Sequence, residues 1–211
     1  MAWILGDYCS LADVKLTIAG GEGMEVGDDT LLEDLIHDAS REIDLYCGRH
    51  FYQVTETRYF HGEDAVYTAE RLLLLDDDLL SIDTITVDNG NTTLTASDYK
   101  MYPRNSSPKA TIKMLASSSE YWTWDTDPED AISILGDWGK PDLDRDANGT
   151  LPPRPIRRAC IQLVEWHYWR RNAPFNTVAF AGDGSMEIPV AMPVFVEKNL
   201  RRYIRPKFKG V

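Results

Sequence analysis

The chain has 211 residues, of which 43% are hydrophobic, and its formal net charge at pH 7 is −12. This apolar content is enough to bury a core, so the composition excludes a disordered tail. The excess of acidic residues argues against a protein that wraps nucleic acid, and no apolar run approaches the roughly 18–20 residues of a membrane helix. The N-terminus lacks the basic region of a signal peptide, which predicts synthesis in the cytosol.

Amphipathic helices are predicted in the first and last thirds of the chain. A short helix, Leu11–Ile18, follows the capping residue Ser10. A long helix, Thr30–Gly48, has apolar residues at helical spacing and ends at a glycine. A second long helix, Pro155–Arg171, begins with proline and has a matching apolar stripe. Because neither stripe is stable in water, we predict that the two long helices pack as an antiparallel pair.

Residues 54–138 have the short apolar runs and turn signals of an antiparallel sheet. The cluster of three aspartates at 76–78 is interpreted as a turn between two strands. The sequence therefore predicts an α+β fold, with a helical bundle formed by residues 1–53 and 139–211 and an antiparallel β domain, residues 54–138, inserted between them. The predicted strands are Thr57–Phe60, Arg71–Leu75, Ile82–Val87, Tyr99–Tyr102, Thr111–Leu115 and Ala131–Leu135.

The C-terminal part of the chain is predicted to carry a long loop, a helix and a basic tail. Proline and glycine residues indicate that residues 172–184 form an exposed loop, with Phe175 and Phe180 as apolar contacts for a neighbour. A final helix is predicted over Val194–Ile204, and Pro206 ends it. Residues 197–211 contain six basic residues and one acidic residue. An acidic body with a basic end indicates different partners at the two ends of the protein.

The cysteines and histidines do not form a recognisable site. Cys9, Cys47 and Cys160 are odd in number and lack the spacing of a metal site, so buried, reduced thiols are predicted. His37 and His167 are interpreted as hydrogen-bonded core residues, with a contact between the two histidines in the helix pair as the alternative. The chain has no Gly-x-Ser-x-Gly, phosphate-binding or dinucleotide-binding motif. The sequence therefore predicts a protein without a cofactor that is not an enzyme.

Two further patterns leave a binding module open as an alternative. Asp142, Asp144 and Asp146 alternate as in the first half of a calcium-binding loop, although Ala147 stands at the position of the turn glycine. They are a weak candidate metal site, and a solvated acidic loop is the preferred interpretation. The aromatic cluster Tyr121–Trp124 is interpreted as sheet packing, with a carbohydrate-binding platform as the alternative.

The order of caps and apolar segments resembles a known family. The segments are Ser10–Lys15, Asp28–Leu32, Ile43–Arg49, Leu79–Val87, Pro153–Ala159, Trp166, Arg170–Asn172, Ile188, Pro189 and Val194–Pro206. In this order they resemble the head–tail connector proteins of long-tailed bacteriophages, also called adaptor or head-completion proteins. The resemblance implies a structural protein of the virion neck, made in the host cytoplasm, that forms a ring, usually of twelve copies, beneath the portal protein.

The resemblance also implies partners and contact residues. The ring would form part of the DNA channel without sequence-specific binding and would offer a platform to the stopper or tail-completion protein. An acidic channel wall would repel phosphate and let DNA slide. Another neck or tail-completion protein is the alternative within the same class. The residues expected to dock on the portal protein are Arg201, Arg202, Tyr203, Arg205, Lys207, Phe208 and Lys209.

Overall fold

The computed structural model describes residues 6–18, 28–124, 127–171, 177–180, 184–187 and 192–206. The chain divides into two compact units, with boundaries between Phe51 and Tyr52 and between Lys140 and Pro141. The predicted α+β class is confirmed, because long helices build one unit and an antiparallel sheet builds the other. In chain order the elements are α1 Leu11–Ile18, α2 Asp29–Cys47, β1 Val54–Phe60, α3 Gly62–Ala65, β2 Val66–Tyr67, β3 Leu72–Val87, β4 Thr92–Leu94, β5 Tyr99–Tyr102, β6 Lys109–Met114, β7 Ile132–Trp138, α4 Arg154–Arg171, β8 Thr177–Phe180, β9 Gly184–Glu187 and α5 Val194–Leu200.

Local signals fix the ends of the helices. Before α1, the Ser10 hydroxyl accepts a hydrogen bond from the Asp13 N–H (3.2 Å), and the Ser10 N–H donates to the Asp13 carboxylate (3.2 Å). These bonds satisfy donors that the first turn of a helix leaves open. Gly48 ends α2 in the left-handed region (φ 63°), and its N–H donates to the Asp44 carbonyl (2.8 Å). The predicted final helix stops at Leu200 and continues as a 3-10 turn, Arg201–Tyr203.

The two long helices pack against each other through their apolar faces, as predicted. The buried side chains of the two helices include Leu32, Ile36, Ala39 and Ile43 on α2 and Ile156, Ala159, Leu163 and Val164 on α4. Near the end of α4, adjacent residues reach distant points: His167 contacts Glu42 (2.9 Å) and Tyr168 donates to Asp28 (2.9 Å). Polar contacts therefore hold the end of α4 at two points, Glu42 on α2 and the N-cap residue Asp28 directly before it. The antiparallel arrangement of the two helices stays a prediction.

All three cysteines are buried and reduced, as predicted. The Sγ atoms of Cys9 and Cys160 lie 3.3 Å apart, and the Ser40 hydroxyl lies 3.5 Å from Cys160 Sγ. The hydrogen bond with Cys160, followed by burial, raises the pKa of the Cys9 thiol. Burial also raises the pKa of the Cys47 thiol, to about 12. The reactive thiolate forms of Cys9 and Cys47 are therefore scarce at neutral pH.

The native chain is expected to react slowly with the thiol reagent DTNB at pH 8, because burial shields all three thiols and the pKa values of Cys9 and Cys47 are raised. In denaturant, all three thiols should be titrated within minutes. The measurement is the absorbance of released thionitrobenzoate with and without guanidinium chloride. A concentration of about 6 M is used, because it exceeds the unfolding midpoint of most domains. Immediate reaction of any thiol in the native chain would contradict the packing described above.

The second unit is an antiparallel sheet. Its strand order is β1-β7-β3-β6-β5, and β2 and β4 also pair with β3. The apolar side chains on its inner face include Leu73, Leu79, Ile112, Ile134 and Trp138, all fully buried. The Trp138 indole N–H donates to the Glu56 carbonyl (3.1 Å), and the Arg58 guanidinium lies 4.6 Å from the indole centroid. A hydrogen-bonded tryptophan therefore anchors the last strand of the unit against the first.

The predicted turn at residues 76–78 is wrong, because the three aspartates lie within the single long strand β3. The pairing of β3 with β6 shifts between Leu74 and Leu79, which marks a bulge that separates the acidic side chains. Arg58 donates to the Asp77 carboxylate (2.7 Å). Asp78 is only 3% exposed. Because a cation on another strand partly offsets the acidic charge, the strand tolerates residues that favour turns elsewhere.

Candidate functional site

The predicted docking segment is partly fastened to the helical unit. Arg201 donates to the Glu197 carboxylate one turn earlier (2.9 Å). The Tyr203 ring packs edge-on against Phe51, with 5.7 Å between the ring centroids. The Arg205 N–H donates to the carbonyl of Cys47 at the end of α2 (2.8 Å). Because of these contacts, residues 201–205 belong to the folded helical unit and are not a free peptide.

Of the other predicted docking residues, the structure describes one, Arg202. Arg202 is exposed on the 3-10 turn, and Lys198 is exposed on α5. Lys207, Phe208 and Lys209 lie outside the described residues. The fold therefore places a small basic surface, Lys198, Arg201 and Arg202, directly before the tail.

The predicted loop after α4 contains two short strands. β8, which ends at Phe180, pairs antiparallel with β9, and Phe180 lies opposite Gly184. Phe175 lies outside the described residues. The run Thr177–Phe180 is rich in β-branched and aromatic residues, and glycine and aspartate follow it, which is typical of a hairpin. Treating the glycines as loop signals alone therefore missed the strands.

The acidic loop at residues 142–146 uses its carboxylates to hold its own backbone. The Asp146 carboxylate accepts from the Thr150 hydroxyl (2.6 Å), the Thr150 N–H (2.8 Å) and the Asn148 N–H (3.0 Å). These hydrogen bonds, with that from the Thr150 side chain foremost, lower the pKa of Asp146. Asp142 faces Arg145 at 3.7 Å, and Asp144 is exposed. Among the described residues, no group of three or more histidine, cysteine or acidic side chains is placed to hold a metal ion.

The aromatic cluster and the histidines also have structural partners. The Trp122 indole N–H donates to the Arg71 carbonyl (2.9 Å), and Trp124 packs on Gly62 and the sheet core. The predicted packing role is confirmed for both tryptophans, whereas Tyr121 is exposed beneath the Arg71 guanidinium (4.2 Å). His37 pairs with Asp7 (3.2 Å), but half of its side chain is exposed, so the prediction of a core position is wrong for this residue. His167 contacts Glu42 instead of His37. Neither group supplies an open binding platform.

A bidentate ion pair, which the sequence analysis missed, joins α1 to α4. The Arg157 Nε–H donates to Asp13 Oδ2 (3.1 Å), and an Nη2–H donates to Asp13 Oδ1 (2.5 Å). Burial acts to raise the pKa of Asp13, but the hydrogen bonds from Arg157 and Ser10 outweigh it and hold the pKa below its usual value. The two residues are far apart in the sequence, and no local spacing signals their contact.

Replacing Asp13 by alanine is expected to lower the free energy of unfolding by about 1–2 kcal/mol at pH 7, because a helix cap and a partly exposed ion pair are lost. The pKa of Asp13 is lowered in the folded state, so its contribution is full above about pH 4 and is lost as the pH falls through the folded-state pKa. Denaturant unfolding at pH 7 and pH 3 measures the difference between the variant and the parent chain. Asp34→Ala, at an exposed acid without an ion pair among the described residues, is the control. A difference that stays constant at low pH would contradict this role.

Opposite charges lie on the outer faces of the two long helices. α2 contains six acidic residues and one arginine, whereas α4 contains five arginines and one glutamate. Asp34 and Asp38 are exposed one turn apart on α2, and Arg154 and Arg158 are exposed one turn apart on α4. Helical periodicity puts each pair on the side of its helix opposite the buried stripe. Because the buried stripes face each other, the charged pairs point away from each other.

No family model matches the sequence, and no curated protein matches it significantly. The fold, however, matches solved structures over its whole length. A chain from the neck of an empty gene transfer agent (GTA) particle, computed with C6 symmetry, superposes with a TM-score of 0.60 at 13% identity, covering 100% of this chain and 96% of the other. A chain of the native GTA virion gives a TM-score of 0.55 at 13% identity with the same coverage. The chain has the fold of these particle chains. None of the helices in the described residues is both long and apolar enough to cross a bilayer.

Proposed function

We propose that this chain is a structural, non-enzymatic component of the neck of a tailed phage or phage-like particle, where copies form a ring between the portal protein and the stopper or tail. The observation that carries the proposal is the whole-chain fold match to a GTA neck chain. The match spans both the helical and the sheet unit. A neck of C6 symmetry is compatible with six or twelve copies of a chain, and twelve is the number that the connector resemblance implies.

Two features of the chain suit this role. The net charge of −12 favours a channel wall that repels the DNA backbone rather than binding it. The basic surface Lys198, Arg201 and Arg202 stands where the chain enters its C-terminal tail. We assign portal docking to this surface together with the tail.

The decisive experiment removes the gene from the particle-producing genome and examines the lysate by electron microscopy. DNA-filled heads without tails are expected, together with free tails, and a plasmid copy of the gene should restore joined particles. Labelled copies should lie at the head–tail joint. Normal yields of tailed particles without the gene would overturn the proposal, and labelling elsewhere in the tail would favour a different tail component.

The docking assignment is tested by deleting residues 206–211. The fold is expected to survive, because Tyr203 and Arg205 still contact Phe51 and Cys47. Binding to the purified portal protein should be lost. A truncated chain that keeps its melting temperature and still binds the portal protein would reject the assignment.

A further inference from the structure

We infer that neighbouring copies of this chain join through the outer face of α2 on one copy and the outer face of α4 on the next. The inference rests on the proposed ring and adds to it the surfaces that make the ring. It starts from four charged residues on the two faces, Asp34 and Asp38 on α2 and Arg154 and Arg158 on α4.

Each face carries a like-charged pair that forms no ion pair within the part of the chain that the structure describes. Asp34 and Asp38 on α2, like Arg154 and Arg158 on α4, form no ion pair within the described residues. Like charges one turn apart destabilise a helix, so each pair is unfavourable in an isolated chain. Placing one pair against the other removes both penalties.

Each face also carries one large exposed apolar side chain. Leu45 is 86% exposed on the same face of α2 as the aspartates, and Trp169 is 40% exposed on the same face of α4 as the arginines. Glu165, between Arg158 and Trp169 on this face, is half-buried. An apolar anchor beside complementary charges is the usual composition of a protein interface, in which tryptophan contributes strongly.

The placement of the two faces explains why the occupant is a second copy. The chain is acidic overall, so most pairs of surfaces on two copies repel each other. The α2 and α4 faces are complementary in charge and point away from each other on one subunit. A contact between different faces of identical subunits repeats from copy to copy and closes into a ring when its rotation divides the circle.

Charge reversal tests this contact. The α2 variant is Asp34→Lys with Asp38→Lys, the α4 variant is Arg154→Glu with Arg158→Glu, and a combined variant carries all four changes. Each variant supplies the deleted gene in trans, and joined particles are counted. Either variant alone is expected to lower the yield at least tenfold, because like charges then face each other at every contact in the ring. The combined variant should restore the yield, since the charges are complementary again.

Co-expression of the two singly reversed chains gives a second readout. The lysines on α2 of one variant match the glutamates on α4 of the other, so alternating copies should assemble where each variant alone fails. The matched control for the α2 variant is Asp76→Lys with Asp83→Lys, which reverses two exposed acids of the sheet unit and changes the net charge by the same amount as that variant. This control should assemble normally.

The outcomes separate the contact from the proposed function. Normal assembly of either singly reversed chain, or failure of the combined chain with an unchanged melting temperature, overturns the inference and leaves the neck role intact. A defect confined to one face assigns that face to a different protein and also overturns it. Tailed particles without the gene reject the proposed function itself.

Discussion

Replacing Gly136 by alanine is expected to destabilise the sheet unit by about 2–4 kcal/mol. Gly136 lies in β7, opposite Ile82 of β3. A Cβ atom at this position would overlap the Ser81 carbonyl oxygen and lie 3.3 Å from the Ile82 Cα. The obstacle is backbone at the centre of the sheet, so no side-chain rotation relieves it. The two strands must move apart, and their hydrogen bonds weaken as a result.

Chemical denaturation followed by tryptophan fluorescence measures this effect, because Trp122 and Trp138 lie in the same unit. Leu135→Ala, at the neighbouring position on the partly exposed side of β7, is the control and should cost less than about 1 kcal/mol. If Gly136→Ala is as stable as this control, the close approach of β7 and β3 is wrong.

Replacing Tyr8 by alanine is expected to destabilise the helical unit by about 3–5 kcal/mol, the range for buried aromatic residues. Tyr8 is fully buried and packs edge-on against Phe51 at 5.7 Å. Its hydroxyl donates to the Asp44 carboxylate and accepts from the Phe51 N–H (2.8 Å). Burial, followed by the negative charge of Asp44, raises the pKa of the hydroxyl, which therefore stays protonated as a donor.

Tyr8→Phe separates the hydrogen bonds from the ring. It retains the packing but leaves a buried N–H without its acceptor, so a cost of about 1–3 kcal/mol is expected. Leu45→Ala, at a largely exposed position of α2, is the control and should stay within about 0.5 kcal/mol of the parent chain. Thermal unfolding by circular dichroism at 222 nm, a wavelength dominated by helix, measures all three variants. Equal stability of Tyr8→Phe and the parent chain would show that the hydroxyl does not hold the two segments together.

Local signals in the sequence predicted the helices well, because helix ends depend on nearby residues. The first helix has the bounds expected from Ser10 and its apolar spacing, and α2 ends at Gly48 as its glycine indicates. The buried faces of α2 and α4 also follow from 3.6-residue periodicity. These features need no knowledge of the rest of the chain.

Long-range pairing explains what the sequence did not reveal. The aspartates of β3 favour a turn locally, but Arg58 on another strand and a bulge keep them in the sheet. Tyr8 gave no signal, because its partners Asp44 and Phe51 are brought near only by the fold. The basic end was predicted from charge, yet its residues Arg201 and Tyr203 are held by Glu197 and Phe51. Composition identified the basic segment but not the contacts that hold it to the rest of the helical unit.

The two ends of the sheet unit are neighbours, since Val54 at the start of β1 pairs with Trp138 at the end of β7. Paired residues on adjacent antiparallel strands are about 5 Å apart, a gap that a tight turn spans. The sheet unit can therefore be removed from the chain, and the two cut ends of the helical unit can be joined by a short linker.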